Sequence, residues 1–213
     1  MTITSEHRST AIATGTTREL WTGVAFPVLF LASVLVSSPP ADNASNATWI
    51  NNYIGSSEQA RHLATGILLV LAGLTLASFL TALWRRVHDA RSAVSPLPLV
   101  AAAASAACIA AGGVVQAFVS GGELIGKYPL PSAEILRLSN DLGFALVGVA
   151  GMLAAALAVA CLSVQGRRAG LLGGKTYVFG LIVSVALLLA VAFVPIFLLL
   201  AWTVVVSVQL LRR

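Results

Sequence analysis

Two groups of charged side chains stand at the heads of long apolar stretches. Glu58, Arg61, His62 and Thr65 are spaced three, four and seven residues from the first, which places them on one face of a helix. Glu134, Arg137 and Asp141 share that spacing further along the chain. If the two helices are neighbours, their heads would build a pocket of mixed charge with one titratable imidazole and aromatic lids from Trp49 and Tyr53. A pocket of that kind could hold a small zwitterion, a lipid headgroup or a metal ion. Read as an enzyme centre acting on a lipid headgroup, it would use His62 as the base, with Glu58 or Asp141 orienting the ring. The same residues also fit solvated helix starts, in which Glu and Arg pair at i, i+3 and the long stems reach for the interface.

Other chemistry is scarce. The chain has no His-Glu-x-x-His zinc motif, Gly-x-Ser-x-Gly elbow, Walker loop or paired intramembrane aspartates. Cys108 and Cys161 lie inside apolar runs, where a thiol behaves as a small hydrophobe, and no metal-ligand spacing or disulfide framework is present. His62 and His88 fall at opposite ends of one apolar run and cannot form a bis-imidazole haem site, so neither metal nor cofactor is expected. Gln116 is the one large polar side chain deep in a predicted span; it is read as helix–helix glue, with a substrate contact as the alternative. Trp202 reads as packing rather than cofactor stacking. The lack of an acid or base in mid-span argues against a proton- or sodium-coupled pump.

The elements that must position these residues are membrane helices. At 58% hydrophobic, 10% charged and a mean hydropathy of +0.91, a 213-residue chain has too little polar surface to cover a soluble globule. The apolar run 63–84, closed by Arg85 and Arg86, matches the roughly 30 Å hydrocarbon core of a bilayer and enters from the outer face. Further runs at about 20–37, 99–119 and 142–162 complete four spans. The first, interrupted only by Pro27, is longer than the hydrophobic core of a signal peptide and is read as a retained span. Residues 177–211 carry no charge; one helix of that length would run about 52 Å, so two short spans, about 177–192 and 195–211, meeting near Ala192 to Pro195, are predicted. Ser56 and Gln59 resemble a capping box opening the second span.

Residues 1–19, polar and without periodicity, read as a disordered cytoplasmic tail preceding a membrane domain over 20–213. Ten of the thirteen Lys and Arg then fall on the inner side, against Arg61, Lys127 and Arg137 outside, which sets both termini in the cytoplasm. With the basic residues at helix ends rather than on one face, the net charge of +5 is a topology signal and no nucleic-acid partner is expected. Tyr53, Ser57, Glu58 and Arg61 align with Tyr128, Ser132, Glu134 and Arg137, and both heads lead to paired arginines. Duplicated hairpins and convergence under the same membrane constraints both account for this likeness.

The short spans, the Gly- and Ala-rich composition, Ala201-Trp202 in the last span, and the stretches Leu130-Pro-Ser-Ala-Glu and Ser139-Asn-Asp-Leu-Gly give a texture that resembles uncharacterised multi-span integral membrane proteins of actinobacteria. The resemblance implies a bacterial inner membrane and carries no catalytic residues. The expectation is an all-α, polytopic membrane helix bundle of six transmembrane helices. It is non-enzymatic and binds a small polar ligand, lipid headgroup or partner at its outer face through Glu58, Arg61, His62, Glu134, Arg137 and Asp141. A passive small-molecule transporter and a lipid-modifying enzyme are the alternatives. A transporter should show a continuous polar-lined path, and an enzyme a convergent acid and base around a cavity.

Overall fold

The computed structural model describes residues 4–37, 39–41, 43–91, 94–124, 126–189 and 194–212, and among them every regular element is a helix. The long helices are α1 (Thr4–Val36), α3 (Ser56–Ala90), α4 (Leu97–Leu124) and α5 (Ala133–Arg168); α2 (Asn46–Asn51) is a single short turn between α1 and α3. The chain closes with α6 (Gly174–Leu187) and α7 (Val194–Leu211). Five helices are long and apolar enough to cross a membrane, and α6 is a shorter apolar helix of 14 residues, about 21 Å. The fold is thus an all-α bundle of membrane type, with five full-length spans where six were expected.

The helices run alternately up and down, as their cross-contacts show. Arg85 on α3 bonds the Glu19 carboxylate of α1 at 3.2 and 3.3 Å, and Arg86 donates to the Leu210 carbonyl of α7 at 3.3 Å. Thr176 at the start of α6 donates to Gln209 near the end of α7 at 2.6 Å, so these two are antiparallel partners rather than one long helix. The turn predicted near Ala192 to Pro195 lies mostly outside the described residues. The paired arginines and the α6–α7 ends thereby collect at one end of the bundle, hereafter the basic end. The heads of α3 and α5, with α2, form the other, the capped end.

Around the bundle the order of packing is α1, α3, α4, α5, α6, α7 and back to α1. The α3–α4 crossing is the closest: a Cβ on Gly113 would stand 2.6 Å from the Gly66 carbonyl oxygen, so only glycine admits the two backbones there. Ala106 and Ala110, on the small-residue face of α4, meet Gly73 of α3 in the same interface. The basic half is filled by Leu76, Phe79, Met152, Val159 and Trp202, all fully buried, with Phe79 and Trp202 edge to face at 6.1 Å. Trp202 is therefore packing, as its sequence position implied.

Two local expectations are corrected. Helix α1 starts at Thr4 and runs through most of the segment read as a disordered tail. Once the apolar span has nucleated a helix, each further residue adds a backbone bond at little cost, even in a polar sequence. The capping box at Ser56 does not form, because Gly55, at φ 101°, takes the N-cap position. The chain must reverse there to pass from α2 into α3, which a positive φ allows and a serine would resist. Gln59 is buried and instead donates to the Tyr53 carbonyl at 3.3 Å.

Candidate ligand-binding site

The capped end is built around α2. Ser45 caps this short helix by accepting from the Thr48 N–H at 3.1 Å, and its Trp49 is 1% exposed. Trp49 and Tyr53 pack with Ala133 and Leu136 of α5 in a small apolar cluster separate from the main core. Arg137 on α5 reaches over this cluster. It donates to the Asn46 side-chain oxygen and to the Ala44 carbonyl, both at 2.7 Å, and its guanidinium lies 5.7 Å from the centre of the Trp49 ring. Two separate guanidinium nitrogens serve the two acceptors, a spread that the single nitrogen of an ammonium does not have.

On the α3 side, the His62 ring stacks on Tyr53 at 4.1 Å with the planes within 3°. His62 Nε2 stands 3.1 Å from Asn52 Nδ2 and 3.2 Å from the Asn52 carbonyl oxygen. Asn52 Oδ1 accepts from Arg61 at 3.4 Å, which turns its NH₂ toward His62, and the ring tautomer decides whether Nε2 accepts from this amide or donates to the Asn52 carbonyl. Burial also holds the Tyr53 phenol above its ordinary pKa of 10.0. The whole loop from Ala44 to Tyr53 is thus strapped to two helices.

The sequence-predicted residues divide accordingly. Arg61 pairs with Glu58 on its own helix, and Arg137 with the loop, so the expected pairing of either arginine with an acid of the other helix is not formed. The physical reason is that α4 packs between α3 and α5 and keeps their heads apart. Glu134 and Asp141 are exposed, Asp141 accepting from Asn140 at 3.5 Å. Tyr128 is 70% exposed whereas Tyr53 is 5% exposed, so the two aligned tyrosines do not play the same part. Among the described residues, no group of three His, Cys, Asp or Glu could hold a metal ion.

Directly beneath this cap lies a cavity of about 300 Å³ between α1, α3, α4 and α5. Its polar lining is Ser33, Ser37, Thr65, Gln116 and Asn140; Phe30, Val34, Leu69, Phe144 and Val147 supply the apolar part. Thr65 is three residues below His62, so the cavity begins about 4.5 Å under the cap. Gln116 packs against Gly143 of α5 and also lines the cavity. Gly143 keeps its place open: a Cβ there would stand 2.9 Å from Gln116 Cγ. Immediately after Phe144, α5 opens into a π-helical stretch, Ala145–Gly151, a distortion that is frequent beside functional sites.

Apart from Gln116 and Thr65, sequence reading missed these residues, since Ser33, Ser37 and Asn140 are ordinary near helix ends and nothing in their spacing ties them together. None of the six predicted ligand residues lines the cavity, and among the described residues no acid, base or thiol does. Below it, the bulky core of the basic half closes the bundle. No protein-family model matches the chain, nor does any curated protein or solved structure.

Proposed function

We propose that this protein is a non-enzymatic, multi-pass protein of a bacterial inner membrane, of the actinobacterial type, that binds a small uncharged ligand at its outer face. The observation that carries this reading is the cavity beneath the strapped cap, where Gln116, Thr65, Ser33 and Asn140 converge within an apolar wall. A few polar groups set in a mostly apolar concavity are the usual makeup of a ligand site. The absence of a convergent acid and base supports binding over lipid modification. The packed core under the cavity supports binding over passive transport, which needs a continuous polar path. Arg61, His62 and Arg137 act by holding the cap over the site.

The test is thermal unfolding of the purified protein against a panel of neutral, zwitterionic and anionic small molecules and lipids. A ligand at one hundred times its dissociation constant stabilises by about 2.7 kcal/mol, which raises the melting temperature of a chain this size by about 5 to 10 °C. The expected result is such a shift from uncharged compounds, lost in Thr65→Phe, whose added ring occupies the cavity. Stabilisation that survives this change, or comes only from ions, would refute the reading.

A further inference from the structure

Resting on that reading, we infer that the cavity's ligand is the hydroxyl or primary-amide end of a long-chain, uncharged amphiphile, which enters from the bilayer between α1 and α5. The chemistry of the lining selects the end group. The Ser33 hydroxyl donates to the Phe30 carbonyl at 2.7 Å, and the Thr65 hydroxyl to the Arg61 carbonyl at 3.0 Å. Both protons are therefore committed within their own helices, and these oxygens offer only lone pairs to the cavity. A ligand meeting them must itself bring an N–H or O–H. Gln116 can both donate to that group and accept from it. Among the described residues no cation lines the space, so a carboxylate or phosphate would enter unpaired, at a cost of several kcal/mol. An ester, an ether or a phosphodiester thus fits worse than an alcohol.

The route follows from the packing order. Helices α1 and α5 face each other across the cavity, with Phe30 and Val34 on one side and Phe144 and Val147 on the other. On the basic half, the α6–α7 pair fills the space between them. On the capped half the route runs between α1 and α5 toward lipid. Phe144 stands at this edge, 39% exposed and lining the cavity at once. Pro39, just past the end of α1, lines the cavity at the capped end, and the lateral route joins it to the region where an apolar chain already resides.

The experiment places the protein in phosphatidylcholine vesicles with a twelve-carbon alcohol bearing a photoreactive diazirine near its hydroxyl. Crosslinks are then mapped by peptide mass spectrometry. Labelling should concentrate on residues 30–37, 116 and 140–147. Unlabelled alcohol should compete about fivefold better than its methyl ether, the size of one net neutral hydrogen bond. The matching carboxylate should compete no better than the ether. Gln116→Leu should reduce the difference between alcohol and ether, and Val34→Trp, which narrows the gap, should suppress labelling. Labels scattered over lipid-facing positions, or competition by the ether or the carboxylate that equals that of the alcohol, would overturn the inference. If water-soluble compounds stabilise the protein through the cavity while the alcohol fails, this inference falls and the binding reading stands; if both fail, both fall.

Discussion

Replacing Arg137 by Ala should loosen the cap and nothing else. The side chain makes two hydrogen bonds of 2.7 Å, one to Asn46 on the exposed face of α2 and one to the part-buried Ala44 carbonyl, and it covers the Trp49 ring. A hydrogen bond to a charged donor contributes about 1.5 to 3 kcal/mol, but water can replace the one at the exposed Asn46, so only the Ala44 bond is counted. The guanidinium over the ring adds about 0.5 to 1 kcal/mol. The local loss is then about 2 to 4 kcal/mol, and at 1.4 kcal/mol per tenfold this speeds opening of the cap about 30- to 700-fold. Hydrogen exchange of the amides in Asn46–Asn51 and at Tyr53 reads that opening directly. The Arg137→Lys variant should recover about half the effect on a logarithmic scale, because an ammonium cannot span both acceptors. Exchange that changes by less than about threefold at these amides would refute the assignment of Arg137 as the strap. A uniform rise across α3 and α4 would do so too, by showing that Arg137 supports the bundle as a whole.

Three further outcomes are expected. Arg61→Ala and Asp141→Ala should be additive in thermal stability to within about 0.5 kcal/mol, because Arg61 pairs with Glu58 and Asp141 is exposed; a larger coupling would mean the two heads share a site after all. Gly113→Val should destabilise by about 1 to 3 kcal/mol, since its side chain would meet the Gly66 carbonyl and the α3 backbone, whereas Val114→Ala on the exposed side of α4 should shift the melting point little. Burial raises the Tyr53 pKa in the folded protein, so the folded state holds that proton more tightly than the unfolded chain does. Its contribution is complete below the unfolded value of 10.0 and is lost as pH climbs from there through the folded value; the cap of the Tyr53→Phe variant should lack this alkaline loosening in hydrogen exchange.

Apolar run length alone determined the helical class and most of the span positions, because a bilayer leaves a chain of this composition no other way to satisfy its backbone. The dibasic ends likewise marked in advance which helix ends gather, and Arg85, Arg86 and Arg212 do meet the ends of α1 and α7 or lie beside them. The heads of α3 and α5 were visible too, as charged residues at helical spacing. Their role was not. Spacing reports which side chains share a face of one helix, and it is silent on which helix stands opposite. Only the packing order, with α4 wedged between α3 and α5, decided that Arg61 turns to its own Glu58 and Arg137 to the Ala44 carbonyl. The cavity is the extreme case. Ser33, Thr65, Gln116 and Asn140 come from four different helices, far apart in sequence, and each is unremarkable in its own stretch. Their convergence is a product of tertiary packing, since it depends on which helices stand around the cavity and on Gly143, whose missing side chain leaves room for Gln116.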